Sequence, residues 1–241
     1  MTIPLHGKVK VLGHHPAGLW ALDKASGVRS HPNGKAVDSG ALLLARYDAE
    51  RECYSGAEGS EWFLLNRLDA PTSGVILISD SERLAKRVRQ AFAERLIQKM
   101  YFAVVFGNAP MRAEIWKDRL KVQAQRGRVR AERGVGVSAV TEMKPIERSQ
   151  GSPLLSLLAL KPKTGRTHQL RVQCAERRIP IVGDGTYGDF KLNRLFAQKT
   201  KEKRLFLHAA ELSMQLEWEG ELIRWSVKAD LPGSFRKVFD S

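Results

Sequence analysis

The chain has 241 residues, of which 43% are hydrophobic, as is ordinary for a folded globular protein. Its longest apolar run, 154–160, is too short to span a bilayer, and the opening MTIPLHGKVK lacks the apolar segment of a secretory signal. Cys53 and Cys174 match no metal-ligand spacing and are expected to be buried or incidental thiols. These features exclude a membrane-spanning or disulfide-stabilised class and predict a cytoplasmic location.

The charge balance indicates the class of partner. Forty Lys and Arg against 26 Asp and Glu give a net charge of +14, which favours a polyanion over other partners. Eight basic against three acidic residues in 111–134, and six against one in 191–204, each give a local +5. A merely basic enzyme is the alternative. The candidates for contacts with a phosphate backbone are Arg126, Arg128, Arg130, Lys191 and Arg194.

The N-terminal half predicts several strands and one clear helix. Strands are predicted over 19–22, 62–65, 74–79 and 101–106, with a possible short helix around 39–46. The apolar run 75–78 predicts burial on both faces of its strand. Between the last two strands, Leu84, Val88, Phe92 and Leu96 recur every four residues and predict a helix. Ser79 and Glu82 have the spacing of a capping box at its start.

The C-terminal half predicts further strands and another helix. A basic hairpin is predicted over 120–137 around Arg126 and Gly127, followed by strands over 138–147 and 154–162. A helix over 167–177 with Thr167 as its cap comes next, and strands over 179–182 and 205–209 flank a Gly-rich loop. A hairpin of 215–218 and 223–227 closes the chain. Because strands outnumber helices and do not alternate with them, we predict an α+β fold with a mixed, largely antiparallel central sheet flanked by helices.

The loop 66–74, with the sequence NRLDAPTSG, places Asp69 in a tight turn between two apolar strands. An acid two residues after an arginine, followed by Pro and Gly, leaves two interpretations open. Asp69 is either a functional carboxylate or a structural cap paired with Arg67.

The segment 161–171, KPKTGRTHQLR, places Arg166 just before a predicted helix. The helix dipole disfavours a cation there unless it faces an anion or a carboxylate, which suggests a functional placement. His168 and Arg171 are secondary candidates. The stretch 183–189 resembles a phosphate cradle, but its spacing is neither G-x-G-x-x-G nor Walker A, so a structural Gly/Asp turn is the better interpretation.

Together these segments resemble the RluA-type RNA pseudouridine synthases. Residues 66–74 are similar to the family's H-R-L-D-x-x-T-S-G motif, which contains its catalytic aspartate. The other similar stretches, in family order, are 22–32 (D-K-P-x-G-x-x-x-H-P), 98–107 (K-x-Y-x-A-x-V-x-G), 163–171 (T-G-R-T-H-Q-I-R), 180–188 (P-I-x-G-D-x-x-Y-G) and 204–209 (R-L-x-L-H-A). Asn66 replaces the usual histidine and Ala25 the usual proline.

The resemblance implies a role for each site residue. Asp69 is the nucleophile, attacking at C6 of uracil or at C1′ of ribose, and Arg166 pairs with it and keeps it charged. Tyr101 stacks on the uracil and assists removal of the C5 proton, while Leu207 packs on the other face of the base or is an ordinary core leucine. Arg67 enters the space left by the flipped-out uridine. The reaction requires no cofactor or metal.

The resemblance also implies an organisation and a partner. We expect a single catalytic domain over 1–241 with a motif-bearing core at 19–230, no S4 domain, and a monomer without an obligate protein partner. The partner is structured RNA, either tRNA or 23S rRNA, and the basic hairpin is a candidate clamp on it. One alternative is a non-catalytic RNA-binding or RNA-folding factor on the same fold. Another is a hydrolase that pairs Asp69 with Asp184 or Asp189.

Overall fold

The structure, a computed structural model, describes residues 2–32, 34, 36–125 and 128–239. The chain folds into two compact units. The first contains the residues up to Gln98 and Ala209–Asp230, and the second contains Lys99–His208 and the residues from Leu231 onward. Within the described ranges, no helix has the length and apolar character needed to cross a membrane.

The first unit is built mainly from antiparallel strand pairs. Its strands are β1 (Lys10–His15), β2 (Leu19–Lys24), β3 (Arg46–Asp48), β4 (Cys53–Ser55), β5 (Glu61–Leu64), β6 (Ser73–Ser79), most of β12 (Leu207–Trp218) and β13 (Glu221–Lys228). The pairs β1–β2, β2–β6, β5–β6, β4–β5, β3–β4 and β12–β13 are antiparallel. The predicted strands over 19–22, 62–65 and 74–79 and the closing hairpin are therefore confirmed.

The core of the first unit lies between β6 and the helix α1 (Glu82–Ala93). All seven residues of β6 are buried, as the apolar run predicted. The capping box is wrong, because Ser81 is the N-cap and accepts a hydrogen bond from the Leu84 amide at 3.3 Å. Ser79 still belongs to β6, where its hydroxyl donates to the carbonyl of Gly18 at 2.8 Å. Leu96 lies beyond the end of the helix and is exposed.

The short helix predicted around 39–46 is wrong. Ala41 bridges to Arg29 and Leu43 bridges to Leu5, and the Leu42 amide donates to the carbonyl of Arg29 at 2.8 Å. Ala41, Leu42 and Leu43 are all fully buried. Extended backbone directs consecutive side chains to opposite sides, so it can bury all three, whereas a surface helix buries only one stripe.

The second unit contains the remaining strands and three helices among its described residues. Its strands are β7 (Gln98–Phe106, entering from the first unit), β8 (Glu114–Gln125), β9 (Arg128–Arg133), β10 (Val137–Arg148) and β11 (Leu155–Pro162), and its helices are α2 (Gln169–Glu176), α3 (Phe190–Thr200) and α4 (Gly233–Lys237). The pairs β8–β9, β8–β10, β10–β11 and β11–β7 are antiparallel. The predicted hairpin and strands of this region are confirmed, while its turn at Arg126 and Gly127 lies outside the described residues. The α+β class is confirmed.

Two predicted strands near the C-terminus differ from the structure. The stretch 179–182 contributes only an isolated bridge between Val105 and Ile181, where the Val182 amide donates to the carbonyl of Val104 at 2.9 Å. The strands predicted over 205–209 and 215–218 are two parts of the single strand β12. Helix α3 was not predicted. It begins after Asp189, whose side chain accepts from the Leu192 amide at 2.8 Å.

The start of α2 also differs from the prediction. Its N-cap is His168, which has a positive φ of 53° and makes no side-chain cap, rather than Thr167. The Gln169 side chain, inside the helix, accepts from the Arg166 amide at 3.1 Å and from the Thr164 hydroxyl at 2.7 Å. A residue within the helix therefore fixes the preceding turn, a task that the sequence assigned to a preceding threonine.

Candidate active site

Asp69 and Arg67 both lie in the loop between β5 and β6. The carbonyl of Asp69 accepts from the Thr72 amide at 2.9 Å and closes a tight turn. Leu68 is buried, whereas Arg67 is exposed and Asp69 is half-buried. One apolar side chain therefore anchors the loop in the core, and its two charged neighbours remain accessible.

Side chains of the segment from Lys24 to Ser30 hold the backbone of this loop by hydrogen bonds. The sequence did not predict this positioning role. The Ser30 hydroxyl donates to the carbonyl of Leu68 at 2.7 Å and accepts from the Leu68 amide at 3.0 Å. The fully buried Lys24 ammonium donates to the carbonyls of Ala70 at 3.1 Å and Val28 at 2.6 Å. The residues before and after Asp69 are thus both fixed by one neighbouring segment.

The two ends of the loop are also fixed to the strands. The Asn66 side-chain oxygen accepts from the Leu77 amide of β6 at 2.8 Å, so the residue that replaces the usual histidine ties the loop to this strand. Gly74 has a φ of +109°, and a Cβ on it would overlap the carbonyl of Ala209. Only glycine fits where the chain re-enters β6 so close to another backbone.

Tyr101 and Arg166 belong to the second unit, where Tyr101 lies on β7 and Arg166 lies in the turn before α2. Lys99 and Tyr101 share a face of β7 because successive strand residues alternate. The Lys99 ammonium donates to the carbonyl of Thr164 at 3.4 Å, and burial lowers its pKa. Arg166 is two residues after Thr164, and its side chain donates through Nε to the carbonyl of Ser138 at 3.1 Å.

The turn 183–189 is structural, as predicted. Arg171 donates to both carboxylate oxygens of Asp184 at 2.8 Å, and the two side chains are 6% and 1% exposed. The carboxylate also accepts from the amides of Thr186 at 2.8 Å and Tyr187 at 3.0 Å. Burial alone would raise the pKa of Asp184, but the arginine and these amides outweigh it and lower the pKa. Asp189 caps α3. Asp184 and Asp189, the two partners that the hydrolase alternative offered for Asp69, therefore both have structural roles.

Tyr187 connects this turn to α2 and to the basic hairpin. Its hydroxyl accepts from the Ala131 amide of β9 at 2.8 Å and lies 2.8 Å from Nδ1 of His168. The Arg171 guanidinium lies over its ring, 5.2 Å from the centroid. The secondary candidates His168 and Arg171 are therefore positioned as structural partners of Tyr187.

The other predicted residues have varied positions. Leu207 begins β12 and is 4% exposed within the core of the second unit. Arg130, Lys191 and Arg194 are exposed on β9 and α3. Arg126 lies outside the described residues, and Arg128 is described only as part of the backbone of β9.

Both cysteines are free and buried, as predicted. Burial raises the pKa of the Cys53 thiol to about 11 and that of Cys174 to about 12. At neutral pH the two thiols are therefore protonated and unsuited to nucleophilic chemistry.

The chain belongs to the RNA pseudouridylate synthase family, whose sequence model matches residues 18–176. This range contains the Asp69 loop, Tyr101 and Arg166. The protein is accordingly an enzyme, an isomerase that converts uridine in RNA to pseudouridine, and RNA is its partner. The resemblance drawn from the motifs is confirmed.

Individual relatives support the same family. The tRNA pseudouridine synthase C of Vibrio parahaemolyticus is 35% identical over 197 residues, which cover 75% of this chain and 76% of the relative. The ribosomal large subunit pseudouridine synthase C of Rickettsia bellii is 28% identical over 211 residues, which cover 86% of this chain and 66% of the relative. The structure of human RNA pseudouridylate synthase domain containing 1 shares the fold, with a TM-score of 0.68 and 23% identity over 95% of this chain and 86% of that one.

Proposed function

We propose that this chain pseudouridylates tRNA and that Asp69 is its nucleophile. The observation that carries the catalytic part is the Asp69 loop, in which an accessible carboxylate lies between two residues whose backbone is fixed by buried donors. For the substrate, relatives at 34–38% identity are named tRNA pseudouridine synthase C, whereas the Rickettsia bellii relative, which is named for the large ribosomal subunit, is 28% identical. A positioned carboxylate is what covalent catalysis of this isomerisation requires.

The proposed reaction is an isomerisation in which all atoms are conserved. The Asp69 carboxylate attacks C6 of uracil or C1′ of ribose, and the bond between N1 and C1′ breaks. The base turns, C5 bonds to C1′, the proton on C5 is lost to solvent, N1 gains a proton, and the carboxylate is released. Arg166 pairs with Asp69 and orients its carboxylate, which accounts for a cation just before the start of a helix. Tyr101 stacks on the uracil and assists loss of the C5 proton.

Access to the target uridine requires base flipping, which costs about a few kcal/mol. We assign Arg67 to the space that the base leaves, because this exposed arginine is two residues from Asp69. Leu207, at 4% exposure, is a core residue first, and the base packs on the small part of it that remains accessible. Arg130, Lys191 and Arg194 supply phosphate contacts, and so do Arg126 and Arg128 if the hairpin clamps RNA.

Both units together form one catalytic domain in this proposal. The protein acts as a cytoplasmic monomer that needs no protein partner, and its net charge of +14 contributes to its affinity for RNA. A non-catalytic RNA-binding factor on the same fold is the alternative. RNA binding alone does not require Asp69, Arg166 and Tyr101 together, so the enzyme is the better proposal.

Mapping pseudouridines in tRNA and rRNA, from cells with and without the gene, tests the substrate. We expect one or more tRNA pseudouridines to disappear with the gene and to return when the purified protein is added to the deficient tRNA. Protein with Asp69→Asn is the matched control and should restore none. A site lost only from 23S rRNA would contradict tRNA as the substrate and leave the isomerase activity intact.

A further inference from the structure

The solvent face of α3 carries an exposed aromatic ring among cations. Phe190 is 58% exposed, and Arg194 and Gln198 follow it at intervals of four residues, so the three form one stripe along the helix. Lys191, three residues before Arg194, is exposed beside them. We call Phe190, Lys191, Arg194 and Gln198 the α3 surface. The opposite side of the helix is packed into the core through Phe196 and Leu192.

The charge of this helix points to a polyanion. None of its eleven residues is acidic, and the segment 191–204 has a net charge of +5, with six basic residues and one acidic. Single exposed hydrophobic residues are common on proteins and mean little alone. An exposed phenyl ring beside two exposed cations is a different combination, because single-stranded nucleic acids bind where bases stack on aromatic rings and phosphates contact Lys or Arg.

The α3 surface is held rigidly, which reduces the entropic cost of binding. Asn193 accepts from the Gly183 amide at 2.7 Å and donates to the carbonyl of Asp184 at 3.0 Å, so the helix is tied to the turn before it. In that turn Tyr187 contacts His168, two residues after Arg166. A short chain of contacts therefore connects the start of α3 to the Arg166 turn.

We propose that the α3 surface binds an unpaired nucleotide of the substrate RNA, with its base stacked on Phe190 and the neighbouring phosphates on Lys191 and Arg194. The inference rests on the proposed function, in which the substrate is RNA. Stacking requires a base with a free face, which a loop or bulge offers and a continuous duplex does not. This surface thus selects structured RNA with an unpaired nucleotide.

The test compares the affinity of the purified full chain for unfractionated tRNA and for a fully paired RNA duplex, at several salt concentrations. Phe190→Leu should weaken tRNA binding about tenfold without changing the salt dependence, and Phe190→Trp should restore it. Duplex binding should be the same for all three proteins. Leu195→Ala is the matched control, because Leu195 is a 51% exposed aliphatic residue on the same helix. It should bind tRNA as the wild type does.

Charge removal tests the phosphate contacts. The double variant Lys191→Gln with Arg194→Gln should lower the slope of log affinity against log salt by about one to two. The same neutralisation at Lys8 and Lys10, both exposed in the first unit, should change the slope less. An equal change in the two double variants would overturn the assignment, because the effect would then be that of net charge alone.

Two outcomes separate this inference from the proposed function. If the wild type forms pseudouridine and Phe190→Leu binds tRNA as tightly as the wild type, only the role of the α3 surface is overturned. If the wild type binds tRNA through Phe190 but forms no pseudouridine in any RNA, the proposed reaction fails and the binding surface stands. Because Phe190 is exposed, its variants should retain the wild-type Tm. If Phe190→Leu weakened tRNA binding and duplex binding equally, that result would also overturn the stacking contact.

Discussion

Replacing Asp69 by asparagine should lower tritium release from RNA labelled at C5 of uridine by about four orders of magnitude or more. The amide is nearly the same size as the carboxylate but is neutral and not nucleophilic, so the step that begins the isomerisation is lost. The loop should keep its geometry, because Ser30 and Lys24 hold the residues on either side of Asp69 by their backbone. The Tm should therefore change little, and single-turnover tritium release is the measurement.

Asp80 provides the matched control for Asp69. It is an exposed carboxylate that directly follows the other end of β6, where it accepts from the Trp20 indole at 3.1 Å. Asp80→Asn should keep the wild-type rate of tritium release. If Asp69→Asn retained half of the wild-type rate, Asp69 would not be the nucleophile.

Replacing Lys24 by methionine should impair both stability and catalysis. The ammonium is fully buried and donates to the carbonyls of Val28, Ala70 and, at 3.2 Å, Ala25. Methionine fills the volume but leaves these buried acceptors without this donor, at a cost of about 2–3 kcal/mol. For a chain of this size the Tm should fall by roughly 5–10 °C. Because the Asp69 loop also loses its anchor, kcat should fall by about 10²-fold.

The kinetic constants show whether Lys24 acts through the position of Asp69. Lys24 is fully buried, so KM for RNA should stay within about twofold of the wild type while kcat falls. Lys8→Met, which removes an exposed ammonium from the same unit, should leave Tm and kcat unchanged. A Lys24→Met protein with wild-type Tm and kcat would show that the loop does not depend on this anchor.

The charged residues of the candidate site could be proposed from the sequence because each stands in a distinctive local context. Asp69 and Arg67 lie in one tight turn between apolar strands. Arg166 precedes the start of a helix, where the helix dipole disfavours a cation unless an anion or a carboxylate is near. Lys24 and Ser30 were not predictable in the same way. They bind backbone atoms of Leu68 and Ala70. Every residue has a backbone carbonyl, so the sequence does not indicate which carbonyl a side chain will bind.

The fold was predictable where apolar spacing is regular and not where tertiary contacts override it. The run 75–78 and the four-residue spacing of Leu84 and Val88 correspond to β6 and α1. Residues 39–46 carry apolar residues in succession and were predicted as a helix, but their burial depends on partners such as Leu5 and Arg29. Helix α3 was missed because it buries only Phe196 fully, so its apolar spacing is weak.

The division of labour between the site and the surrounding surface follows from these positions. Asp69, Tyr101 and Arg166 lie in motifs similar to those of a whole family, and the proposed function assigns them to the rearranged bond rather than to the choice of uridine. The basic residues of β9 and α3 lie outside the residues assigned to the chemistry. We therefore expect changes on α3 to alter which RNA is bound and how tightly, and changes at Asp69 to stop the reaction on every RNA.

The most direct test of the central claim is the identity of the product nucleoside after the purified protein acts on tRNA from cells lacking the gene. The RNA is digested to nucleosides, which are separated and weighed by mass spectrometry. Each uridine lost should be matched by one pseudouridine of unchanged mass, with no free uracil. Free uracil and abasic RNA would indicate a hydrolase, and an unchanged nucleoside composition in tRNA and rRNA alike would contradict the assignment of this chain as a pseudouridine synthase.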